Sequence, residues 1–443
     1  MARLADLRPR AAPPPGVRVV MDARPLQEPE RSPITGEYLQ RLLEAFAADP
    51  LPGESFVLLL RGLSDDPTEA LEAAGLPVAG RRRLPPTSRA FRSAGLTVDS
   101  FLLRGAELRS ASGASASGAA GAVYHTAGGA VPLASRMPVV ATLLDLAPWE
   151  LPDRYARSMA ARFGHRLRAR NLQDARRVIV VSRATAVAAQ RLLHLRDEQL
   201  VIVPLAADPA FHPGAADPDV LAQLRARFDL PDRYLVFAGR YDARKDLGTL
   251  FAALAALRDQ SPVSRGRTDG VDPAVAWPPV VVLAGASGPD NAESPVVGAA
   301  ARKAGVADLV RLTPQLEPAE LAVLEAGSIG HVQPALSDGT GLAVIDALSL
   351  GIPVICSRAG PLPDLVGTAG IVVEPRDPHR LATALRALWE GGAVARQVSR
   401  AAAARAAKPG RTWLDVARET RQVYAAAVIP PLDMAEEAVP DRG

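Results

Sequence analysis

Cysteine is almost absent: Cys356, in the apolar run Pro353-Val354-Ile355-Cys356, is the only one in 443 residues. A single thiol excludes an intramolecular disulfide and a cysteine-built metal cluster. Lysine is nearly as rare, at Lys245, Lys303 and Lys408, so the positive charge is almost all arginine. Aromatics make up only 4%. No apolar run reaches the ~18 residues that a transmembrane helix needs. The start of the chain carries Arg and Pro without the apolar core of a signal peptide. A cytoplasmic protein is the expectation, at most peripheral to the inner face of the membrane. The six histidines, among them His125, His165 and His331, show no ligand spacing with Cys, Asp or Glu, and no metal is expected. No Walker loop, nucleophile elbow or paired-cysteine motif occurs. A net charge of only +3 gives no global argument for nucleic acid.

What is present suits a soluble α/β protein: 48% hydrophobic and 22% charged residues. The length calls for two domains. Short apolar runs alternate with segments of helical spacing, the pattern of parallel sheets wrapped by helices. The first series of expected strands is Val17–Met21, Phe56–Leu60, Val123–His125, Val139–Leu143, Val178–Val181 and Val201–Val203. The second is Tyr234–Ala238, Val280–Ala284, Val310–Leu312, His331–Gln333, Val354–Ser357 and Ile371–Val373. Pro209, Pro213, Pro218 and Pro231 punctuate the seam between them. We therefore expect a disordered tail over 1–16 and a first Rossmann-like domain over 17–210. A second follows over 211–427, its last helix free to pack back on the first, and then a flexible tail over 428–443. The runs Ser110–Gly121 and Ser261–Trp277 also look loosely held.

The arginines are uneven, with 27 Arg against 20 acidic residues in positions 1–200. The densest stretch runs from Arg154 through Arg157, Arg162, Arg166, Arg168 and Arg170 to Arg176 and Arg177. Such a helix is ordinarily a solvated face. The sharper reading is a surface for anionic lipid headgroups or an anionic acceptor.

Ligands of doubly wound sheets bind beyond the carboxyl ends of the strands. After Tyr234–Ala238 comes Gly239-Arg240-Tyr241-Asp242-Ala243-Arg244-Lys245. A glycine turn with flexible cations can clamp a diphosphate, although cations beside a helix start are also common. After His331–Gln333 comes Ser337-Asp338-Gly339-Thr340-Gly341-Leu342, then Asp346. Free amides at a helix start favour an anion, and a carboxylate one to two turns on can accept both ribose hydroxyls. Taken singly, Asp338-Gly339 is an ordinary turn pair. The remaining cleft candidates are Gly36, His125 and Asp145. A histidine at a strand end is more often a satisfied polar residue, and Asp145 either orients the loop Leu143–Pro152 or caps the chain.

This set resembles the family 4 glycosyltransferases. Asp338 and Asp346, separated by seven residues, are similar to that family's paired acidic motif. Arg240 and Lys245 are similar to its Arg/Lys pair. Leu362-Pro363-Asp364-Leu365-Val366-Gly367 and Gly370-Ile371-Val372-Val373-Glu374-Pro375 resemble the stretch that follows. In the first half, Met21-Asp22-Ala23-Arg24-Pro25-Leu26 is more loosely similar. The resemblance implies the GT-B fold, two Rossmann-like doubly wound domains facing a central cleft. It also implies retaining transfer of a hexose from a nucleotide-diphosphate sugar to a saccharide or lipid-linked acceptor, with no cofactor or metal. Arg240 and Lys245 would neutralise the departing phosphates, and Gly239 and the amides of Gly339, Thr340, Gly341 and Leu342 would support them. Asp346 would hold the ribose, and Asp338 would orient the donor sugar. Cell-surface glycan synthesis, often with mannose, is the family tendency. Three features depart from the pattern. Both acidic positions are usually Glu, Leu144 stands where relatives often carry His, and the first glycine loop, Ser32–Tyr38, keeps only Gly36. They motivate a second reading, a catalytically silent GT-B protein that binds a nucleotide or partner and regulates a true transferase.

Overall fold

The computed structural model describes residues 16–28, 33–62, 64–85, 99–100, 102–103, 121–128, 130–239, 241–260, 277–285 and 294–428. The expected tails and the loosely held runs fall outside these residues, apart from Gly16, Gly121, Trp277 and Val428 at their edges.

Two all-parallel sheets form the frame. The first has the order β3-β2-β1-β4-β5-β6-β7. Its strands are β1 (Arg18–Asp22), β2 (Ser55–Arg61), β3 (Val78–Leu84), β4 (Ala122–Ala127), β5 (Val139–Leu143), β6 (Arg177–Val180) and β7 (Leu200–Ile202). The second has the order β10-β9-β8-β11-β12-β13. It comprises β8 (Leu235–Ala238), β9 (Val281–Ala284), β10 (Val310–Leu312), β11 (His331–Gln333), β12 (Val354–Ser357) and β13 (Gly370–Val373). The helices beside the first sheet are α1 (Pro33–Ala48), α2 (Thr68–Ala73), α3 (Ala147–Glu150), α4 (Pro152–Tyr155), α5 (Met159–Gln173) and α6 (Arg183–Leu193). Those of the second are α7 (Pro218–Phe228), α8 (Leu247–Arg258), α9 (Ser294–Lys303), α10 (Pro318–Ala326), α11 (Leu342–Ser349), α12 (Leu362–Val366), α13 (Pro378–Trp389) and α14 (Ala393–Ala406). The last is α15 (Trp413–Val428).

The strands are apolar on both faces because helices cover both. Along β1, Val19 and Met21 enter one core cluster and Val20 the other. Along β8, Leu235 and Phe237 face one side and Val236 and Ala238 the opposite one. One strand escaped the sequence reading: β3, at the sheet edge, reads Val-Ala-Gly-Arg-Arg-Arg-Leu. Its charge is the protection an edge needs, and Arg81 pairs with Asp66 and Glu72. An edge strand therefore lacks the apolar run by which the inner strands are found.

Strand order reverses between β1 and β4 in the first sheet and between β8 and β11 in the second. A crevice opens beyond the strand ends at such a switch. Helix α15 returns to the first domain, where Trp413, Val416, Tyr424 and Ala427 join the core around α1. Its buried Arg421 makes two hydrogen bonds of 2.8 Å to the Glu54 carboxylate. Among the described residues, no helix is long and apolar enough to cross a membrane.

Candidate active site between the two sheets

The two segments flanking the second sheet's switch point converge. Beyond β8 the chain turns at Gly239, whose φ of +119° suits only glycine. Its amide still donates to the Ala284 carbonyl at 3.0 Å. Asp242 accepts from the Arg244 amide at 3.0 Å, which fixes a single helical turn and sets Arg244 and Lys245 at its end. Beyond β11 the Leu336 amide donates to the Arg244 carbonyl at 2.7 Å and ties the two loops together. Arg240 lies outside the described residues.

The meeting point is the buried Asp338 carboxylate. Its Oδ2 accepts from Lys245 Nζ and from Gln333 Nε2, each at 3.0 Å. Its Oδ1 accepts from the amides of Gly341 at 2.8 Å and Thr340 at 3.2 Å. Burial alone would raise this carboxyl, but Lys245, Arg244 and the Gly341 amide hold it below the usual carboxylate range. A cation and two helix-start amides thus already grip one anion. Of the four amides expected to support phosphates, those of Thr340 and Gly341 are bonded to this side chain.

Asp346 is also buried, on α11, where its Oδ1 accepts from the Asp208 amide at 2.9 Å. Burial, then Glu37 and Glu325, raise its carboxyl, and Arg41 pulls the other way. Solvent reaches Glu37, yet surrounding protein still raises its carboxyl, as for a group on a concave wall. Leu342 does not line the cleft. It packs into the first domain's core with Ile345 beside it, so α11 spans the seam.

The first domain supplies the facing wall. Asp145 does two things: Oδ1 accepts from the Ala147 amide at 2.8 Å, and Oδ2 pairs with Arg244 Nη1 at 2.7 Å. Burial would lower the Arg244 guanidinium, but Asp145, Asp338 and Asp242 hold it firmly charged. Tyr155 donates to Asp242 Oδ1 at 2.8 Å, Ser337 to Glu150, and Thr185 to the Gly339 carbonyl at 3.4 Å. A Cβ on Gly339 would sit 1.9 Å from the Leu144 carbonyl oxygen, so only glycine permits this approach. Leu144 turns its side chain into the core and offers the site only its backbone.

Two cleft candidates are corrected. His125 is fully buried, bonded through Nε2 to Thr142 Oγ1 at 2.9 Å and through Nδ1 to Tyr424 at 2.6 Å. Burial draws its imidazole down to about 3, so it is a neutral core residue that α15 covers. Gly36 lies inside α1, not in a loop, and its buried face meets the Pro25 carbonyl. Sequence reasoning passed over Arg244, Gln333 and Glu37. The first two were visible as a third cation in the 239–246 run and a polar residue ending an apolar strand.

Two parallel doubly wound sheets with a seam of this kind define the GT-B class. Residues 232–391, within the second sheet and its helices, match the family described as glycosyl transferases group 1. The chain is 33% identical over 220 residues to the D-inositol 3-phosphate glycosyltransferase of Streptomyces griseus, covering 49% of this chain and 44% of that protein. It thus spans less than half the length of that relative. Among solved structures, the sucrose-phosphate synthase of Thermosynechococcus elongatus superimposes with a TM-score of 0.66 at 20% identity, over 93% of this chain and 98% of that one. HepE of Anabaena, in complex with UDP-glucose, gives 0.64 at 15% identity, over 92% and 99%.

Proposed function

We propose that this chain transfers a hexose from a nucleotide-diphosphate sugar, with retention, to a saccharide or lipid-linked acceptor. The observation that carries the reading is the convergence of Lys245 and the Thr340 and Gly341 amides on one anion beneath the Asp145 loop. The donor's diphosphate takes over part of that grip, and Asp338 turns to the sugar hydroxyls. Arg240 adds charge by resemblance, and Asp346 accepts from the ribose. The rate then comes from positioning and from stabilising the leaving phosphate. Uracil is the first base to try, because HepE is solved in complex with UDP-glucose. Cell-surface glycan synthesis belongs to the same reading, as does contact with an anionic membrane through the 154–177 stretch. In its support, the exposed Met159 and Phe163 stand on α5 with the exposed Arg162 and Arg166, and Arg157 lies just before the helix.

The test is a thermal-shift and mass-spectrometric screen against UDP-, GDP- and ADP-sugars. One donor should be turned over, with Lys245→Ala lowering kcat at least ~100-fold, the scale for a lost transition-state charge contact. Unchanged turnover in that variant rules out the clamp. The silent reading draws on the same carboxylate: Asp338 already neutralises Lys245. Nucleotide binding without turnover of any donor would favour it.

A further inference from the structure

Helix α5 buries Gly164, Arg168, Asn171 and Leu172 on its inward stripe. An arginine on such a stripe is normally paired. Asn171 is satisfied, donating to the Val131 carbonyl at 3.0 Å. Arg168 is not. It is 6% exposed, its Nε has no hydrogen-bond partner, and no carboxylate lies within ion-pair distance of it among the described residues. Burial pulls its guanidinium down to about 10, with Asp145 the one group acting to raise it. An arginine remains charged at that value, so the fold holds an uncompensated cation.

Its surroundings are those of a recognition site. The guanidinium carbon lies 5.1 Å from the centre of the Trp149 ring. His165 meets the same indole edge-on at 5.8 Å; its ring is held by a hydrogen bond with the Tyr155 backbone, while its buried Nδ1 lacks a partner. Trp149 lies on α3, the short helix after β5, four residues from Asp145 and against the first domain's core. That neighbouring carboxylate could have compensated Arg168, but it is committed to Arg244 across the seam at 2.7 Å. One unpaired nitrogen of the guanidinium and one of the imidazole therefore flank a single indole, within electrostatic reach of Asp145.

We propose that Arg168, with Trp149 and His165, forms an acceptor subsite for a phosphate group. The inference rests on the transfer reading above and assigns the acceptor its chemical class, a phosphorylated one. The phosphate supplies the counter-charge that the protein withholds and leaves the acceptor hydroxyl facing the donor pocket. Arg168 is a binding residue in this account, and its cost to the free protein is the signature of one.

Thermal shifts measured with inorganic phosphate and with glycerol 3-phosphate, at fixed ionic strength, test this. Each should raise the wild-type Tm by a few degrees. The Arg168→Met variant should melt at or above the wild type without phosphate and lose most of both responses, and Arg168→Lys should keep part of them. Both ligands are read over saturating UDP, which occupies the donor clamp, so the response reports this subsite alone. A response that survives in Arg168→Met, or none in the wild type, overturns the proposal. Should Arg168→Met fold poorly, the Arg168→Lys response and its KM for glycerol 3-phosphate decide, and an unchanged pair overturns it as well. Co-sedimentation with phosphatidylcholine vesicles carrying phosphatidic acid identifies the source. Loss of binding in Arg168→Met places the phosphate on a lipid acceptor. Retained binding with a lost glycerol 3-phosphate response places it on a soluble one. UDP shifts are read on every variant: absent everywhere, they sink the transfer reading, and the acceptor role goes with it.

Discussion

Burial, with Glu37 and Glu325 nearby, raises the Asp346 carboxyl above its ordinary value. The folded state therefore prefers this group protonated. That stabilisation is complete below the ordinary carboxylate value and is lost as pH climbs through the raised one. Asp346→Asn should then melt close to the wild type at pH 4 and several degrees higher at pH 8. The amide oxygen can still accept from the Asp208 amide. Binding should move the other way. An ionised carboxylate accepting ribose hydroxyls is worth about 1.5–3 kcal/mol per charged hydrogen bond, so UDP should bind at least ~10-fold more weakly to the variant. Calorimetry and titration on one preparation check both. A variant that is no more stable at pH 8 sinks the electrostatic account, and unchanged UDP affinity sinks the ribose role. The residue scale also shows how far sequence reading reaches. The pairing of Asp338 with Lys245 joins two segments that the motif spacing had already singled out. Arg244, next to Lys245, was not singled out, because what distinguishes it is a partner 99 positions earlier in the other domain. Adjacent cations cannot be ranked without that partner.

At the scale of elements, the inner strands were legible because burial on both faces makes them apolar throughout. The charged edge strand β3 and the core role of His125 were not, since both depend on what packs alongside. A further pair hidden in this way joins α10 to β11. Glu325 and His331 are at most 1% exposed, with His331 Nδ1 3.5 Å from the Glu325 carboxylate. None of their four polar side-chain atoms has a hydrogen-bond partner. Removing one member strands the other in the core, at a cost of about 3–5 kcal/mol, whereas replacing both by apolar groups is often neutral. Glu325→Leu and His331→Leu should each destabilise the second domain by that amount, and the double variant should recover most of it. Urea unfolding, followed through the second domain's Trp389, measures the cycle. Strict additivity would show that the two side chains are energetically independent.

Across the whole molecule, the seam combines a small apolar contact with several polar ones. Leu342 and Ile345 reach into the first domain's core. Arg244 with Asp145, Tyr155 with Asp242, and Thr185 with the Gly339 carbonyl cross the cleft mouth. With Gly339 packed against the Leu144 backbone, a donor of nucleotide size needs the mouth to part before it enters. Hinge motion about α15 and the 203–217 linker is the movement available, since α15 remains anchored to the first domain by Arg421 and Glu54. The Arg244–Asp145 pair should set how often the cleft opens. Asp145→Asn removes its charge but keeps an oxygen for the Ala147 amide, so the local turn survives. A charged hydrogen bond of this kind contributes about 1.5–3 kcal/mol. Its loss should enlarge the radius of gyration without donor and raise the donor KM about tenfold, while saturating donor restores the compact form. High salt should move the wild type only part of the way, because a half-buried pair is incompletely screened. Small-angle scattering with and without the nucleotide reads the first effect, and steady-state kinetics the second. If neither the radius nor KM changes, the apolar contact at Leu342 holds the cleft by itself, and the polar contacts at its mouth merely follow.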